Sequence, residues 1–214
     1  MAYDAAVTTR VNRLPRDQRR SQLLDAAGEV FASKGYHAAA MDDIAEVAGV
    51  SKPVLYQHFS SKLELYIALL DASCDQLEAI VSAALVSTDE NADRVVATIG
   101  AFYEFVSDAG GSFRLIFESD LSGDPQVQAR LTAVNDRIAD VVAQVIVSDT
   151  HLSGDRAKLL AISLVGMAQV SARYWLDAGT GSISLHEAEQ LVSTLAWRGI
   201  GGFPLAGHTG LGTD

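Results

Sequence analysis

The sequence is poor in the residues that build disulfide-linked, zinc-binding or β-rich proteins. A single cysteine, Cys74, excludes an intramolecular disulfide framework and a cysteine-based zinc site, and it favours a reducing compartment. Only four of the 214 residues are proline, and alternating runs of β-branched residues, which predict strands, are missing. Apolar residues instead recur at helical spacing along almost the whole chain, which predicts an all-α fold.

The chain also lacks a long apolar run. Within the predicted helices, the longest stretch without a charged residue, 159–172, has 14 residues, whereas a membrane-spanning helix requires about 18–20. The N-terminal sequence MAYDAAVTTRVNRL contains no apolar core of a secretion signal. We therefore expect a cytoplasmic protein with no membrane partner.

Positive charge is scarce, and it is unevenly distributed. The net charge is −11. Residues 1–62 carry eight Lys and Arg against seven Asp and Glu, whereas the rest of the chain carries eight against twenty. Five of the arginines lie within residues 1–20. A neutral-to-basic N-terminal unit on an acidic body permits local contact with phosphates, although a solvated arginine-rich arm explains the same charges.

Helical periodicity and capping residues divide the chain into about nine helices. The fourth starts at the capping box Ser61-x-x-Glu64 and is about 25 residues long. At about 1.5 Å per residue it spans roughly 40 Å, which is enough to connect two domains. Gly35 is placed to end the first helix, and Ser51 to cap the third. The helices are predicted over about 16–34, 41–48, 52–59, 61–85, 95–106, 112–121, 125–145, 155–177 and 184–195.

The stretch GVSKPVLYQHFSSK, residues 49–62, predicts a helix-turn-helix motif. Gly49 and Val50 form a tight turn between two short helices. Leu55 and Phe59 are four residues apart, so they share one face and are predicted to anchor the second helix inward. The remaining side chains of that helix are mostly polar. A short helix with a polar outer face suits the major groove of DNA, which is about 12 Å wide.

Residues 23–70 read LLDAAGEVFASKGYHAAAMDDIAEVAGVSKPVLYQHFSSKLELYIALL. Within this stretch, F-x-x-K-G-Y, D-D-I-A-x-x-A-G-V-S and L-Y-x-H-F-x-S-K follow one another in this order. Through these motifs, residues 19–70 resemble the TetR/AcrR family of bacterial transcriptional regulators. The resemblance implies an all-α homodimer with an N-terminal DNA-binding domain. It also implies a C-terminal domain that binds a small molecule and dimerises through its last two long helices.

One position departs from the family pattern. Ala40 stands where members usually carry Ser or Thr just before the second helix. The missing cap costs about 1 kcal/mol, which Asp42 and Asp43 partly offset because they lie at the positive end of the helix dipole. The acidic pair also repels phosphate, so we expect no strong DNA contact from this helix end.

Carried over by position, the resemblance assigns DNA contacts to the third predicted helix and its flanks. On this assignment Tyr56, His58 and Lys62 contact phosphates, and the other helix residues face base edges or the backbone. Taken singly, a tyrosine or histidine on a short helix is more often a packing or surface residue. With two residues of the arginine-rich segment, the full candidate set is Lys52, Pro53, Val54, Tyr56, Gln57, His58, Lys62, Arg16 and Arg19.

The acidic body contains a helix that is apolar nearly all round, predicted over 155–177. Such a helix has to be covered on more than one side, so we expect it to form a four-helix interface with the last helix across a twofold axis. A monomeric core is the alternative. Aromatic and sulfur-containing side chains of the body are candidates for an effector pocket, although an aromatic residue there more often belongs to the core than to a pocket. They are Phe102, Tyr103, Phe113, Phe117, Met167, Trp175 and Cys74.

The sequence therefore predicts a ligand-responsive transcriptional regulator, most simply a repressor. It would bind a palindromic duplex operator as a homodimer and be switched by a small, largely apolar molecule. The alternatives are a DNA-binding regulator or architectural protein without a switch, and a helical enzyme. Motifs of common hydrolases and nucleotide-binding enzymes are missing and the five histidines are scattered, so we expect no catalysis, metal or cofactor. The predicted segments are an arginine-rich arm (1–15), the DNA-binding domain (16–62), the ligand-binding and dimerisation domain (63–201) and a glycine-rich tail (202–214).

Overall fold

The computed structural model of the protein describes residues 14–107, 121, 123–177 and 183–200. Within these ranges the chain forms eight α-helices and no strand, which confirms the all-α prediction. The helix predicted over 112–121 and most of the predicted arm and tail lie outside the described residues. The helices are α1 (Arg16–Ala38), α2 (Met41–Val47), α3 (Lys52–His58), α4 (Lys62–Leu85), α5 (Asn91–Ser107), α6 (Pro125–Asp149), α7 (Gly154–Asp177) and α8 (Leu185–Ile200).

The turns of the N-terminal domain depend on two glycines. Gly35 has φ 72° and breaks the helical path of α1 three residues before its end, as its position predicts. Gly49 has φ 63° in the turn between α2 and α3. Residues with a Cβ rarely adopt such positive φ values, whereas glycine adopts them readily. The two glycines therefore set the direction in which α2 and α3 leave α1.

The helix caps agree with the sequence in most places. The Ser61 hydroxyl accepts a hydrogen bond from the Glu64 amide at 3.1 Å, and the carboxylate of Asp124 caps α6. The predicted side-chain cap of α3 is wrong, because Ser51 occupies the N-cap position without a capping hydrogen bond. At α2 the cap is missing as expected, and Asp43 instead accepts a hydrogen bond from the Ala40 amide at 3.2 Å.

The first three helices share a core with the start of α4. Leu23, Ile44 and Leu55 are fully buried there. Tyr66 of α4 meets Phe31 of α1 edge-on, with ring centroids 5.3 Å apart. The N-terminal domain, called the head below, is therefore built from α1–α3 and closed by the first turns of α4.

The body is organised around α4 and α6. Arg130 of α6 pairs with Asp71 of α4 at 2.7 Å, and Arg137 pairs with Glu78 at 2.5 Å. Both pairs are separated by 59 residues, so the two helices run parallel and in register. Helix α7 packs along α6, and α8 packs against α5.

Helices α7 and α8 leave an apolar face uncovered in the monomer. On α7 the large exposed residues are separated by three, eight and four positions, which places them on one side of the helix. By length and composition, α7 could also cross a membrane. This surface is called the outer face, and its large residues are Leu159, Ile162, Val170 and Tyr174 of α7 and Leu191 and Leu195 of α8.

Candidate DNA-binding surface and effector cavity

Helix α3 is held in the head by two apolar residues. Leu55 and Phe59 have no exposed surface, so the inward anchors predicted from their spacing are confirmed. The side chains of Lys52, Pro53, Tyr56 and Gln57 are exposed on the other side, and those of Val54 and His58 are half-buried. The helix thus presents a compact, mostly polar surface to solvent.

Both carboxylates at the start of α2 are paired with lysines. Asp42 pairs with Lys52 of α3 and Asp43 with Lys34 of α1, each at 2.8 Å. The hydrogen bond from Lys34 and that from the Ala40 amide lower the pKa of Asp43. The negative charge at the start of α2 is thereby partly neutralised. The ammonium group of Lys52 would have to divide its hydrogen bonds between Asp42 and any phosphate or base that it contacts.

Arginines of α1 surround one end of α3. The Arg20 guanidinium lies 4.4 Å from the centroid of the Phe59 ring, and Arg19 donates to the Gln22 side chain at 2.7 Å. Burial lowers the pKa of His58, and the charges of Arg16, Arg20 and Arg19 lower it further. These side chains therefore form one positive surface. Arg20 is not in the sequence-predicted set, although the run of arginines could have included it.

Lys62 has a different position from the other predicted DNA contacts. Its ammonium group donates to the carbonyl oxygens of Tyr36, His37 and Ala39 at 2.7, 3.3 and 2.8 Å. It also lies 4.5 Å from the centroid of the Tyr36 ring. Three carbonyls occupy the three N–H groups of the ammonium, so none is left for a phosphate in this arrangement.

A cavity of about 220 Å³ lies in the body, between the last turn of α4 and helices α5–α8. Its walls are mostly aliphatic. Val81 and Leu85 come from α4, and Trp197 closes one side from α8. The remaining apolar lining residues are Val95, Ile99, Phe102, Ile138, Val142, Val145, Ile146, Leu164, Val165, Ala168 and Ala196.

A polar cluster lines the same cavity where α5 begins and α6 ends. The Arg94 guanidinium is held by Asp149 and by Asn91, each at 2.7 Å, and by the Thr88 carbonyl at 3.3 Å. Thr98, Thr150 and Gln169 complete the polar lining. Among the residues that the structure describes, no group of three His, Cys, Asp or Glu side chains is placed to hold a metal ion.

Of the effector residues predicted from the sequence, Phe102 lines the cavity. Tyr103 is buried beside it and donates a hydrogen bond to Ser171 at 2.8 Å. Trp175 packs on Tyr103, with ring centroids 5.9 Å apart, and donates to the Ile183 carbonyl. Tyr103 and Trp175 therefore belong to the core and do not line the cavity, in agreement with the alternative interpretation.

Cys74 and Met167, two further predicted effector residues, do not line the cavity. Cys74 is buried in the core, and this burial raises the pKa of its thiol to about 11. Met167 is half-buried and packs against the core. Phe113 and Phe117 lie outside the described residues. The aliphatic wall and the Arg94 cluster are the parts of the cavity that sequence reasoning missed.

Two family models match the chain. Residues 23–69 match the model of bacterial regulatory proteins of the tetR family, and residues 92–199 match the tetracyclin repressor-like C-terminal domain. The chain is 47% identical to the HTH-type transcriptional activator FasR of Mycolicibacterium smegmatis. That alignment of 196 residues covers 92% of this chain and 89% of FasR.

Solved structures share the fold. A TetR-like transcriptional regulator from Rhodococcus sp. RHA1 superimposes with a TM-score of 0.70 at 29% identity, covering 89% of this chain and 100% of that one. FadR from Bacillus subtilis, solved in complex with stearoyl-CoA, gives a TM-score of 0.66 at 20% identity over 82% and 96% of the two chains. The head, the long connecting helix, both model matches and the FasR alignment together show that the chain belongs to the TetR family of transcriptional regulators.

Proposed function

We propose that the protein binds a palindromic DNA operator as a homodimer and that a small, largely apolar effector changes its operator affinity. The observation that carries the proposal is the surface of α3. Its polar side chains are exposed on a helix fixed by Leu55 and Phe59, and the arginines of α1 lie beside it. A helix displayed in this way can enter the major groove while neighbouring cations contact the phosphates.

Within this proposal the contacts divide by position. Lys52, Pro53, Val54 and Gln57 face base edges or the adjacent backbone. The phosphate contacts come from Tyr56, His58, Arg16 and Arg19, with Arg20 added because it lies against Phe59. Lys62 leaves the phosphate set, because backbone carbonyls occupy its ammonium group.

The dimer is proposed to form through the outer face. Leu159, Val170 and Leu195 are 66%, 70% and 62% exposed in the monomer, and large contiguous apolar surfaces of this kind mark interfaces. A second copy of the chain would cover them across a twofold axis. The same face accounts for the apolar composition of α7 without a membrane. The protein would then act in the cytoplasm, where its operator is.

The effector site is proposed to be the cavity. Val81 and Leu85 lie at the opposite end of α4 from Lys62, roughly 30 Å away at about 1.5 Å per residue. A ligand that moved α4 or α6 would tilt the head, since the two helices are joined by ion pairs. Coupling between such sites is typically about 1–3 kcal/mol, which changes affinity about 5–150-fold. An architectural protein without a switch would show no such change.

The direction of regulation has two candidates. The sequence predicts repression, whereas the relative at 47% identity is named an activator. A reporter gene placed behind the operator separates them. Removing the protein raises transcription if it represses and lowers transcription if it activates.

The experiment that tests DNA binding is a salt titration on a palindromic duplex selected from a random pool. With about 6–10 phosphates engaged, affinity falls about 10³–10⁵-fold between about 50 and 200 mM salt. Replacing Gln57 or Lys52 by Ala should change the preferred bases, because these residues face the groove. A flat salt response on the best duplex contradicts the proposed function.

A further inference from the structure

We propose that the Arg94–Asp149 ion pair makes the cavity selective for an uncharged ligand. The ligand class is a molecule with an apolar body that ends in a neutral polar group, such as a hydroxyl, ester or amide. This inference rests on the proposed effector cavity and defines its specificity. Among the described residues, Arg94 and Asp149 are the ionisable side chains that line the cavity, so they act as its specificity determinants.

The charges of the lining cancel at short range. Arg94 and Asp149 are 2.7 Å apart, and their side chains are 15% and 29% exposed. An anionic head group that reached Arg94 would lie next to the Asp149 carboxylate. A cationic head group that reached Asp149 would lie next to the guanidinium. Either charge would therefore lose its water shell and meet a like charge in a poorly solvated site, which is unfavourable.

A neutral polar group avoids both penalties. Both hydrogens of Nη1 on Arg94 go to Asn91 and Asp149, and its Nε donates to the Thr88 carbonyl. The second terminal nitrogen, Nη2, has no hydrogen-bond partner among the described residues. It can donate to the oxygen of a hydroxyl, ester or amide while the ion pair stays intact.

The rest of the wall offers little else that is polar. The Thr98 hydroxyl donates to the Arg94 carbonyl at 2.8 Å, and the Gln169 amide donates to the Asn135 side chain at 2.7 Å. Because these groups have partners within the protein, the affinity for a ligand comes mainly from burial of its apolar body. The cavity thus combines an aliphatic wall with one polar end of zero net charge.

The test compares three probes with one aliphatic chain and different head groups: 1-decanol, decanoate and decylammonium. Binding is measured by titration calorimetry at about pH 7, where the carboxylate and the amine are both charged, and below the concentration at which each probe forms micelles. Trp197 lines the cavity, so its fluorescence reports binding there, and W197F removes that signal. We expect decanol to bind the wild-type protein about tenfold or more tightly than either charged probe.

Variants of the pair should reverse the preference. Asp149→Asn leaves Arg94 as the charge in the lining and should strengthen decanoate binding about tenfold relative to decanol. Arg94→Gln leaves the carboxylate and should favour decylammonium to a similar extent. The double variant is neutral again and should prefer decanol. Asp140→Asn is the matched control. Asp140 lies on the surface of α6, pairs with Lys158 of α7 and does not line the cavity.

The outcomes separate this inference from the proposed function. If all three probes fail to bind the wild-type protein or to change Trp197 fluorescence, the effector cavity itself is wrong. If the probes bind there but D149N and R94Q keep the wild-type order, the ion pair does not set the ligand class. Tighter binding of decanoate than decanol by the wild-type protein also overturns the inference. Circular dichroism establishes that each variant is folded.

Discussion

Lys62 fixes the junction between the head and α4, and replacing it by methionine should separate this role from DNA contact. Methionine keeps a flexible apolar stem but removes the ammonium group. Three carbonyl oxygens, those of Tyr36, His37 and Ala39, then lose their shared donor. We expect the head to be less firmly held on α4, with no loss of a phosphate contact.

The size of the effect follows from the hydrogen bonds. Bonds that involve a charged group contribute about 1.5–3 kcal/mol. Because Lys62 is half-buried and water can reach part of the site, we expect the free energy of unfolding to fall by about 1.5–2 kcal/mol. Operator affinity should also fall, since the head samples more orientations. That loss should be the same at every salt concentration.

The salt dependence of operator binding distinguishes the two roles. Each phosphate contact contributes about 0.9 to the slope of log affinity against log salt, so one contact from each protomer contributes about 1.8. Lys62→Met should leave the slope unchanged, whereas Arg16→Met, at an exposed cation of the proposed surface, should reduce it by about 1.8. A slope reduced by that amount in Lys62→Met, with unchanged thermal stability, would refute the junction role.

Three further predictions concern the interface, His58 and two glycines, Gly49 in a turn and Gly100 in α5. Glutamate at Leu195 of the outer face should give a monomer in size-exclusion chromatography that loses tight operator binding, because an unpaired charge would be buried. Glutamate at Val86, which is 81% exposed after α4, is the control and should remain dimeric. The pKa of His58 is lowered below 6.5 by burial and by nearby arginines, and phosphates would raise it again in the complex. Operator affinity should therefore rise as the pH falls from about 8 to about 6, and a pH dependence unchanged in His58→Gln would contradict the assigned contact. Gly49→Ala should lower the free energy of unfolding by about 1–2 kcal/mol, because a φ of +63° is strained for a residue with a Cβ. No atom lies within 4 Å of the new Cβ, so no steric clash adds to this cost. Gly100→Ala, equally unobstructed within α5, should raise it by about 1 kcal/mol in chemical denaturation.

The head could be predicted in some detail because its signals are local. Leu55 and Phe59 are one helical turn apart. Gly35 and Gly49 have positive φ values, which glycine adopts readily and residues with a Cβ adopt rarely. The spacing of apolar residues therefore indicated which side of α3 is buried. The predicted side-chain cap at Ser51 is wrong for a different reason. The residue type identifies Ser51 as the N-cap residue, but it does not show whether the hydroxyl makes a capping hydrogen bond.

The cavity could not be predicted in this way. Periodicity identifies the side chains that point inward, but it does not show where they fail to fill the space between five helices. The aromatic residues Tyr103 and Trp175, predicted as candidates for the pocket, are buried in the core instead, because large aromatic side chains fill the protein interior well. Arg94 and Asp149 are 55 residues apart, so their pairing depends on the fold. The partners of Lys62 are backbone carbonyls, which carry no signature in the sequence.

The packing of Tyr66 against Phe31 has a practical consequence for hybrid regulators that combine this head with another sensor domain. A junction at residues 62–63 would separate the head from Tyr66 and from the fully buried Leu65 and Leu70. The transferable unit therefore extends to about residue 70, with the splice inside α4. At the splice, the two joined helices have to keep the same rotational phase about the helix axis. One residue added or removed at the splice rotates the new sensor by about 100° around the helix axis. In the proposed dimer, the two heads would then no longer face the same side of the duplex.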